Sequence, residues 1–150
     1  QQRPGIPRYF SRCVGCARKR NQRRDESCRR QSDCLAGDGG FAHVWSELET
    51  CKREEINVVI AVINNEILAY QKLAEQSKWG RSTNACDLTA VDHAKIAEAC
   101  GVKGIRVESP NEIKGALKEA FATEGPVVID LLVDPNCIPP LPPMTSLESV

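Results

Sequence analysis

The sequence predicts an α/β domain in which a parallel sheet is flanked by helices. Residues 57–63 and 126–133 are short, almost continuous runs of apolar and β-branched residues, as in strands that are buried on both faces. Segments with a helical spacing of apolar residues alternate with these runs. Such alternation is typical of parallel sheets, because each parallel pair needs a long crossover connection.

The elements of the first half follow from local patterns. Residues 34–37 look like the end of a strand, and Gly40 opens a helix over 41–54. The next strand is predicted over 57–63, and a second helix is predicted over 66–78. The apolar positions of the first helix recur three and four residues apart: Phe41, Val44, Trp45, Leu48 and Cys51.

The second half repeats the alternation. A helix over 91–100 ends at Gly101, a residue that favours the left-handed helix terminus, and a strand is predicted over 104–108. Residues 109–112 form a capping box with proline at the first helical position. The helix that they open carries an apolar line of Ile113, Leu117, Ala120 and Phe121.

The chain divides into three predicted parts: an irregular basic arm over 1–33, a domain over 34–134 and a proline-rich tail over 135–150. The arm carries ten basic and three acidic residues, a net charge of +7, and the remainder carries −7. No run approaches the length of a membrane span, and no secretory signal opens the chain. The eight cysteines therefore predict a reducing compartment, the cytoplasm.

The arm has two alternative interpretations. Cys13, Cys16, Cys28 and Cys34 could bind zinc, and with the arginines around them they could form a nucleic-acid module. The loose last spacing makes a solvated basic arm the simpler interpretation, so nucleic acid is not an expected partner. A change of reading frame upstream of Cys34 is a further hypothesis, which re-sequencing of the coding DNA would test.

A carboxylate and an amide occur at the predicted ends of neighbouring strands. Asp38 lies in a Gly37-Asp38-Gly39 turn, and Asn64-Asn65 closes the run at 57–63. A Mg²⁺ ion takes such oxygen ligands together with phosphate oxygens. Glycines before a helix let main-chain N–H groups approach phosphate. The pattern therefore indicates a metal-assisted diphosphate site, although the same residues also favour ordinary turns.

With its flanking residues this motif resembles thiamine diphosphate-dependent enzymes of the acetolactate synthase type. The resemblance extends from about Cys34 to Asp134. It is carried by Gly37-Asp38-Gly39-Gly40-Phe41, Glu47-Leu48-Glu49-Thr50, Val62-Ile63-Asn64-Asn65 and Ile96-Ala97-Glu98-Ala99-Cys100-Gly101.

The resemblance implies a thiamine diphosphate-binding domain of a 2-oxo acid decarboxylase or carboligase. Mg²⁺ would be held by Asp38, Asn65 and the main-chain carbonyl near Ile67. The remaining cofactor-binding residues would be Gly37, Gly39, Gly40, Phe41, Leu68 and Ala69.

Two polar residues just after the motif, Tyr70 and Gln71, are candidates to face a 2-oxo acid such as pyruvate. A helix with a solvated polar face is an equal alternative for this stretch. Tyr70 stands where acetolactate synthases tend to carry methionine. His43 and His93 are expected to pack or cap rather than to catalyse.

The family's activating glutamate lies on a separate pyrimidine-binding domain, usually of another subunit. We therefore expect no catalytic residue in this chain, an oligomeric partner, and no activity of these 150 residues alone. A non-catalytic domain that keeps the fold as a partner or regulator is the alternative.

Overall fold

The computed structural model describes residues 32–137. Its four strands form one parallel sheet in the order β1-β2-β4-β3. The strands are β1 (Ser32–Gly37), β2 (Val58–Asn64), β3 (Lys103–Val107) and β4 (Val127–Leu132). The helices are α1 (Asp38–Phe41), α2 (Glu47–Arg53), α3 (Ala69–Trp79), α4 (His93–Ala99) and α5 (Ile113–Ala122). The predicted parallel α/β architecture is confirmed.

The sheet has a separate apolar core on each face. Val58, Ile60 and Val62 of β2 point to one face, where they pack with residues of α1, α2 and α4. Val59 points to the other face, where it packs with β3, β4 and α5. Alternate side chains of a strand point to opposite faces, which explains why β2 is apolar throughout.

The helix predicted over 41–54 is two helices in the structure. α1 ends at Phe41, α2 begins at Glu47, and the residues between them form turns. Main-chain bonds three residues apart, such as Val44 N–H to the Phe41 carbonyl at 2.9 Å, tighten this stretch. The apolar line still faces the core, because Leu48 and Cys51 are buried.

The prediction that residues 34–37 end a strand is confirmed, since β1 runs from Ser32 to Gly37. The Ser32 N–H donates to the Asn57 carbonyl at 3.1 Å, and Ser32 lies in register with Val58. One predicted boundary is wrong. α3 begins at Ala69 rather than at 66, because residues 66–68 pair with residues 86–88 instead. The other predicted parts, residues 1–31 and 138–150, lie outside the described residues.

The apolar line predicted for α5 faces the core only in part. Ala116 and Ala120 are buried against β4, whereas Ile113 and Leu117 are exposed and Phe121 is 51% exposed. Small residues at the contact bring the helix close to the sheet, so the larger side chains beside them fall outside it. Among the residues that the structure describes, no helix is long and apolar enough to cross a membrane.

Two predicted helix signals are confirmed. Gly101 is left-handed, with a φ of +73°, and ends α4. Its N–H donates to the Glu98 carbonyl and the next N–H, of Val102, donates to the Ala97 carbonyl, both at 2.9 Å, which is a Schellman motif. At the other signal, Glu112 Oε2 accepts a bond from the Ser109 N–H at 3.0 Å, as a capping box requires.

Gly104 and Gly115 provide a matched stability test. A Cβ on Gly104 of β3 would collide with the main chain of Ala94 in α4, whereas a Cβ on Gly115 of α5 would meet nothing within 4 Å. We expect Gly104→Ala to lower the free energy of unfolding by about 3 kcal/mol through overpacking. Gly115→Ala should raise it by about 0.5–1 kcal/mol through helix propensity. Urea unfolding of both variants measures this, and equal effects would contradict the close approach of α4 to β3.

Candidate functional site

The two halves of the motif meet at the carboxyl ends of β1 and β2. These strands are parallel neighbours, and Gly37 lies in register with Ile63. Asp38 directly follows Gly37, and Asn65 follows Asn64 at the end of β2. Ligands of open α/β sheets bind at this edge. The structure thus brings together the residues that the sequence singled out.

Asp38 is held by main-chain hydrogen bonds from both halves. Asp38 is only 6% exposed. Oδ1 accepts from the Gly39 N–H at 2.7 Å, and Oδ2 accepts from the Glu66 N–H at 2.8 Å. A carboxylate oxygen offers two acceptor sites, so each oxygen retains a site for a metal ion.

Residue 66 turns the chain sharply after β2. Glu66 has a φ of +58°, a left-handed conformation that is uncommon for a residue other than glycine. Such backbone strain persists only where the surroundings enforce it, and it clusters at functional sites. Here the bond from the Glu66 N–H to Asp38 is one of the contacts that enforce it.

The carbonyl of Ile67 points toward the side on which Asn65 lies. Ile67 forms an isolated antiparallel bridge with Asp87, flanked by bonds from Leu68 N–H to the Cys86 carbonyl and from Leu88 N–H to the Glu66 carbonyl, both 2.8 Å. In such a pair the polar groups of the central residue point away from the partner strand. The Ile67 N–H accordingly donates to Asn65 Oδ1 at 3.3 Å.

A cavity of about 570 Å³ opens at this edge. Its volume falls in the usual range for sites that bind small molecules. It is lined by Gly37, Asp38, Gly39, Gly40, Ile63, Asn65, Ile67, Leu68, Ala69, Tyr70 and Gln71. These include every predicted cofactor-binding residue except Phe41. Phe41, the last residue of α1, is 2% exposed and packs in the core.

Within residues 32–137, Asp38 is the only charged residue that lines the cavity. A diphosphate group entering beside it would meet a second anion and no basic side chain of these residues. A divalent cation between the two would remove this repulsion. The available donors fit Mg²⁺, since the Asp38 carboxylate, the Asn65 amide oxygen and the Ile67 carbonyl are all hard oxygen ligands.

Gly39 lies close to the segment after β2. A Cβ on Gly39 would lie 2.5 Å from Leu68 Cδ2, so a larger residue would displace the exposed Leu68 side chain at the cavity wall. Cβ atoms on Gly37 and Gly40 would meet nothing within 4 Å. The main chain at these two glycines is therefore open to a ligand in the cavity.

The first asparagine of the pair serves the core instead of the cavity. Asn64 is 1% exposed and donates to Asp130 Oδ1 at 3.0 Å and to the Val91 carbonyl at 2.9 Å. Asp130 is completely buried, and its Oδ2 accepts from the His93 N–H at 3.0 Å and from Arg106 Nη1 at 2.8 Å. Sequence reasoning missed this network, because its members are far apart in the chain.

A second missed network lies outside the cavity, on α3. Glu75 is buried, and its carboxylate accepts bonds from Gln71 Nε2 at 2.9 Å, from the Thr83 N–H at 2.7 Å and from Thr83 Oγ1 at 3.0 Å. These bonds, led by that from Gln71, lower the pKa of Glu75 to about 2. Glu75 is therefore ionised at neutral pH. It also fixes the Gln71 amide so that its NH₂ group faces Glu75.

The two histidines differ in their surroundings. His93 is buried and contacts the rings of Phe41 and Trp45, with centroid distances of 5.5 and 5.8 Å, so its predicted packing is confirmed. His43 is exposed, so the prediction that it packs or caps is not supported. Neither histidine lines the cavity.

The sequence pattern of the family described as thiamine pyrophosphate enzyme, C-terminal TPP binding domain, matches residues 14–131. The chain belongs to this family, whose domain binds thiamine diphosphate. The resemblance to acetolactate synthases is confirmed. The matched range starts ahead of Cys34, where the motifs alone placed the start.

The relatives include enzymes with different names. The chain is 40% identical over 103 residues to an acetolactate synthase of Bacillus subtilis, covering 67% of this chain and 17% of that protein. It is 36% identical over 106 residues to a 2-hydroxyacyl-CoA lyase of Arabidopsis thaliana, covering 67% and 18%.

A solved structure shares the fold. Benzoylformate decarboxylase from Polynucleobacter necessarius matches with a TM-score of 0.71 and 26% identity, covering 77% of this chain and 22% of that one. The chain thus spans about a fifth of the length of the relatives that it matches.

The two asparagines should respond differently to substitution. Asn64→Ala leaves a buried carboxylate oxygen and a carbonyl without their donor, so we expect the free energy of unfolding to fall by about 2–3 kcal/mol. Asn65→Ala removes only one long bond at the cavity edge and should cost less than about 1 kcal/mol. Urea unfolding at neutral pH checks both values. A larger loss for Asn65→Ala would contradict the assignment of Asn64 to the core.

Proposed function

We propose that this domain binds the diphosphate of thiamine diphosphate through Mg²⁺ in a 2-oxo acid decarboxylase or carboligase of the acetolactate synthase type. The observation that carries the proposal is the meeting of Asp38, Asn65 and Ile67 at one cavity. Membership of the family indicates that the cofactor is thiamine diphosphate. The negative charge of Asp38 in the cavity is the reason to propose a metal ion between this carboxylate and the diphosphate.

Each residue has a proposed part in binding. Asp38, Asn65 and the Ile67 carbonyl hold Mg²⁺, which bridges to the diphosphate. The main chain at Gly37, Gly39 and Gly40 approaches the phosphates, and Phe41 supports this turn from the core. Leu68 and Ala69 form the apolar wall beside the ring of the cofactor.

Two polar side chains are proposed to meet the substrate. Tyr70 is exposed at the mouth of the cavity, and Gln71 lines the cavity with its NH₂ group turned toward Glu75. The amide oxygen of Gln71 is thereby left to accept a bond from a bound molecule. A 2-oxo acid such as pyruvate is the proposed substrate class.

The proposed assembly needs a partner for catalysis. When bound, thiamine diphosphate supplies the carbanion chemistry of decarboxylation, and this domain binds and orients it. The activating glutamate is proposed to come from a pyrimidine-binding domain or subunit within a homo- or hetero-oligomer. A cytoplasmic location remains a prediction from the cysteine pattern.

Removal of Asp38 tests the site directly. We expect Asp38→Ala to weaken Mg²⁺-dependent binding of thiamine diphosphate about 30-fold or more, because the only charged metal ligand of the cavity is lost. Isothermal titration calorimetry of the 150-residue chain measures this affinity. Asp33→Ala removes an exposed carboxylate of β1, the strand that precedes Asp38, and as the matched control it should bind as the wild type does.

Other outcomes would point elsewhere. Equal binding by the wild type and Asp38→Ala would place the metal at other residues. If the wild type binds neither magnesium thiamine diphosphate nor magnesium pyrophosphate, the alternative of a non-catalytic partner domain is favoured.

The chain by itself should not turn over pyruvate. We expect no release of carbon dioxide above the rate with cofactor and Mg²⁺ alone, because the activating carboxylate is proposed to lie on another domain. A complete acetolactate synthase, assayed in parallel, establishes the sensitivity of the measurement. Turnover by the purified chain would contradict the need for a partner.

A further inference from the structure

We infer that Glu75 is a positioning residue that aims the Ile67 carbonyl at the metal by holding residues 83–88 against the cavity wall. The inference rests on the proposed function, because the direction of this carbonyl matters only if a metal ion binds there. Glu75 does not line the cavity itself.

The first step is the attachment of the 83–88 segment to α3. The Glu75 side chain accepts two bonds from Thr83 and one from Gln71, and the residue is 7% exposed. Glu75 is buried although its donors Gln71 and Thr83 are exposed residues, and hydrogen bonds to an ionised acceptor are about twice as strong as neutral ones, so the carboxylate holds these donors firmly. Cys86, three residues further on, is buried beside it.

The second step is the bridge between this segment and the residues that follow the motif. The Cys86 carbonyl accepts from the Leu68 N–H, and the Leu88 N–H donates to the Glu66 carbonyl. These bonds fix the orientation of the peptide groups on both sides of Ile67. The carbonyl of Ile67 is consequently directed away from Asp87 and toward the cavity side.

The third step compares the Glu75 contacts with an ion pair that also connects residues 83–88 to α3. Lys72 Nζ lies 2.6 Å from Asp87 Oδ1, but the two side chains are 27% and 56% exposed. Exposed ion pairs contribute little, because water screens them and both long side chains lose freedom. The bonds from Thr83 to the buried Glu75 carboxylate are therefore the stronger attachment of the segment to α3.

The metal gives this positioning a specific signature. Mg²⁺ requires nearly ideal octahedral geometry with short bonds, whereas Ca²⁺ accepts longer bonds and irregular ligand sets. A loosened Ile67 carbonyl should therefore weaken binding with Mg²⁺ more than binding with Ca²⁺. General destabilisation of the domain would weaken both equally.

The experiment uses the full chain and two readouts. Amide hydrogen exchange of Leu68 and Leu88 reports the bridge, and calorimetry with thiamine diphosphate plus Mg²⁺ or Ca²⁺ reports the site. In Glu75→Ala we expect faster exchange at both amides and about a tenfold loss of affinity with Mg²⁺, the range known for outer-shell ligands. The loss with Ca²⁺ should be less than about threefold, since Ca²⁺ tolerates irregular sites.

Milder variants and controls keep the result interpretable. Glu75→Gln retains one acceptor oxygen and should fall between Glu75→Ala and the wild type. If Glu75→Ala does not fold, Thr83→Val can replace it, since this variant removes the Thr83 hydroxyl that donates to Glu75. As controls, Val107→Ala destabilises the core on the α5 face of the sheet, and Glu98→Ala removes an exposed glutamate. Both controls should leave the ratio of the Mg²⁺ and Ca²⁺ affinities unchanged.

The possible outcomes separate the two proposals. If the wild type binds and the Glu75 and Thr83 variants bind equally well, or lose both metals to the same extent, the inference about Glu75 is wrong while the proposed function stands. If the wild type binds no thiamine diphosphate with either metal, the proposed function fails, and the inference fails with it.

Discussion

The site depends on one hydrogen bond, from the Glu66 N–H to Asp38 Oδ2 at 2.8 Å. It joins the turn after β1 to the turn after β2, which are 28 residues apart. The bond is possible because the parallel register places Gly37 beside Ile63, so both strands end at the same level. A shift of the register by one residue would exchange the two faces of β2 and move Asn65 away from the cavity.

Two polar networks support this edge. In the first, Asn64 of β2 and Arg106 of β3 both donate to the buried Asp130 carboxylate of β4. In the second, Glu75 and Thr83 hold the segment that pairs with the residues after Asn65. Buried polar groups are costly unless all their bonds are made, and these two networks make them within the described part of the domain. The residues that line the cavity are thus supported by residues that do not line it.

This chain matches relatives with different names, including an acetolactate synthase, a 2-hydroxyacyl-CoA lyase and a benzoylformate decarboxylase. A site that holds a diphosphate and a metal does not by itself select a substrate. Tyr70 and Gln71, which follow the proposed metal ligands in the chain, are the proposed contacts for the substrate. The chain spans about a fifth of the length of these relatives.

The sequence alone determined the order of strands and helices along the chain, the two helix signals at Gly101 and Ser109, and the placement of Asp38 and Asn65 at the ends of neighbouring strands. These features depend on local patterns, or on the rule that ligands bind where parallel strands end. Only the tertiary structure decided that Asn64 turns into the core, that Glu66 takes a left-handed conformation and that Glu75 supports the cavity wall. Each of these depends on contacts between residues that are distant in the chain, and a period of two or 3.6 residues carries no information about such contacts.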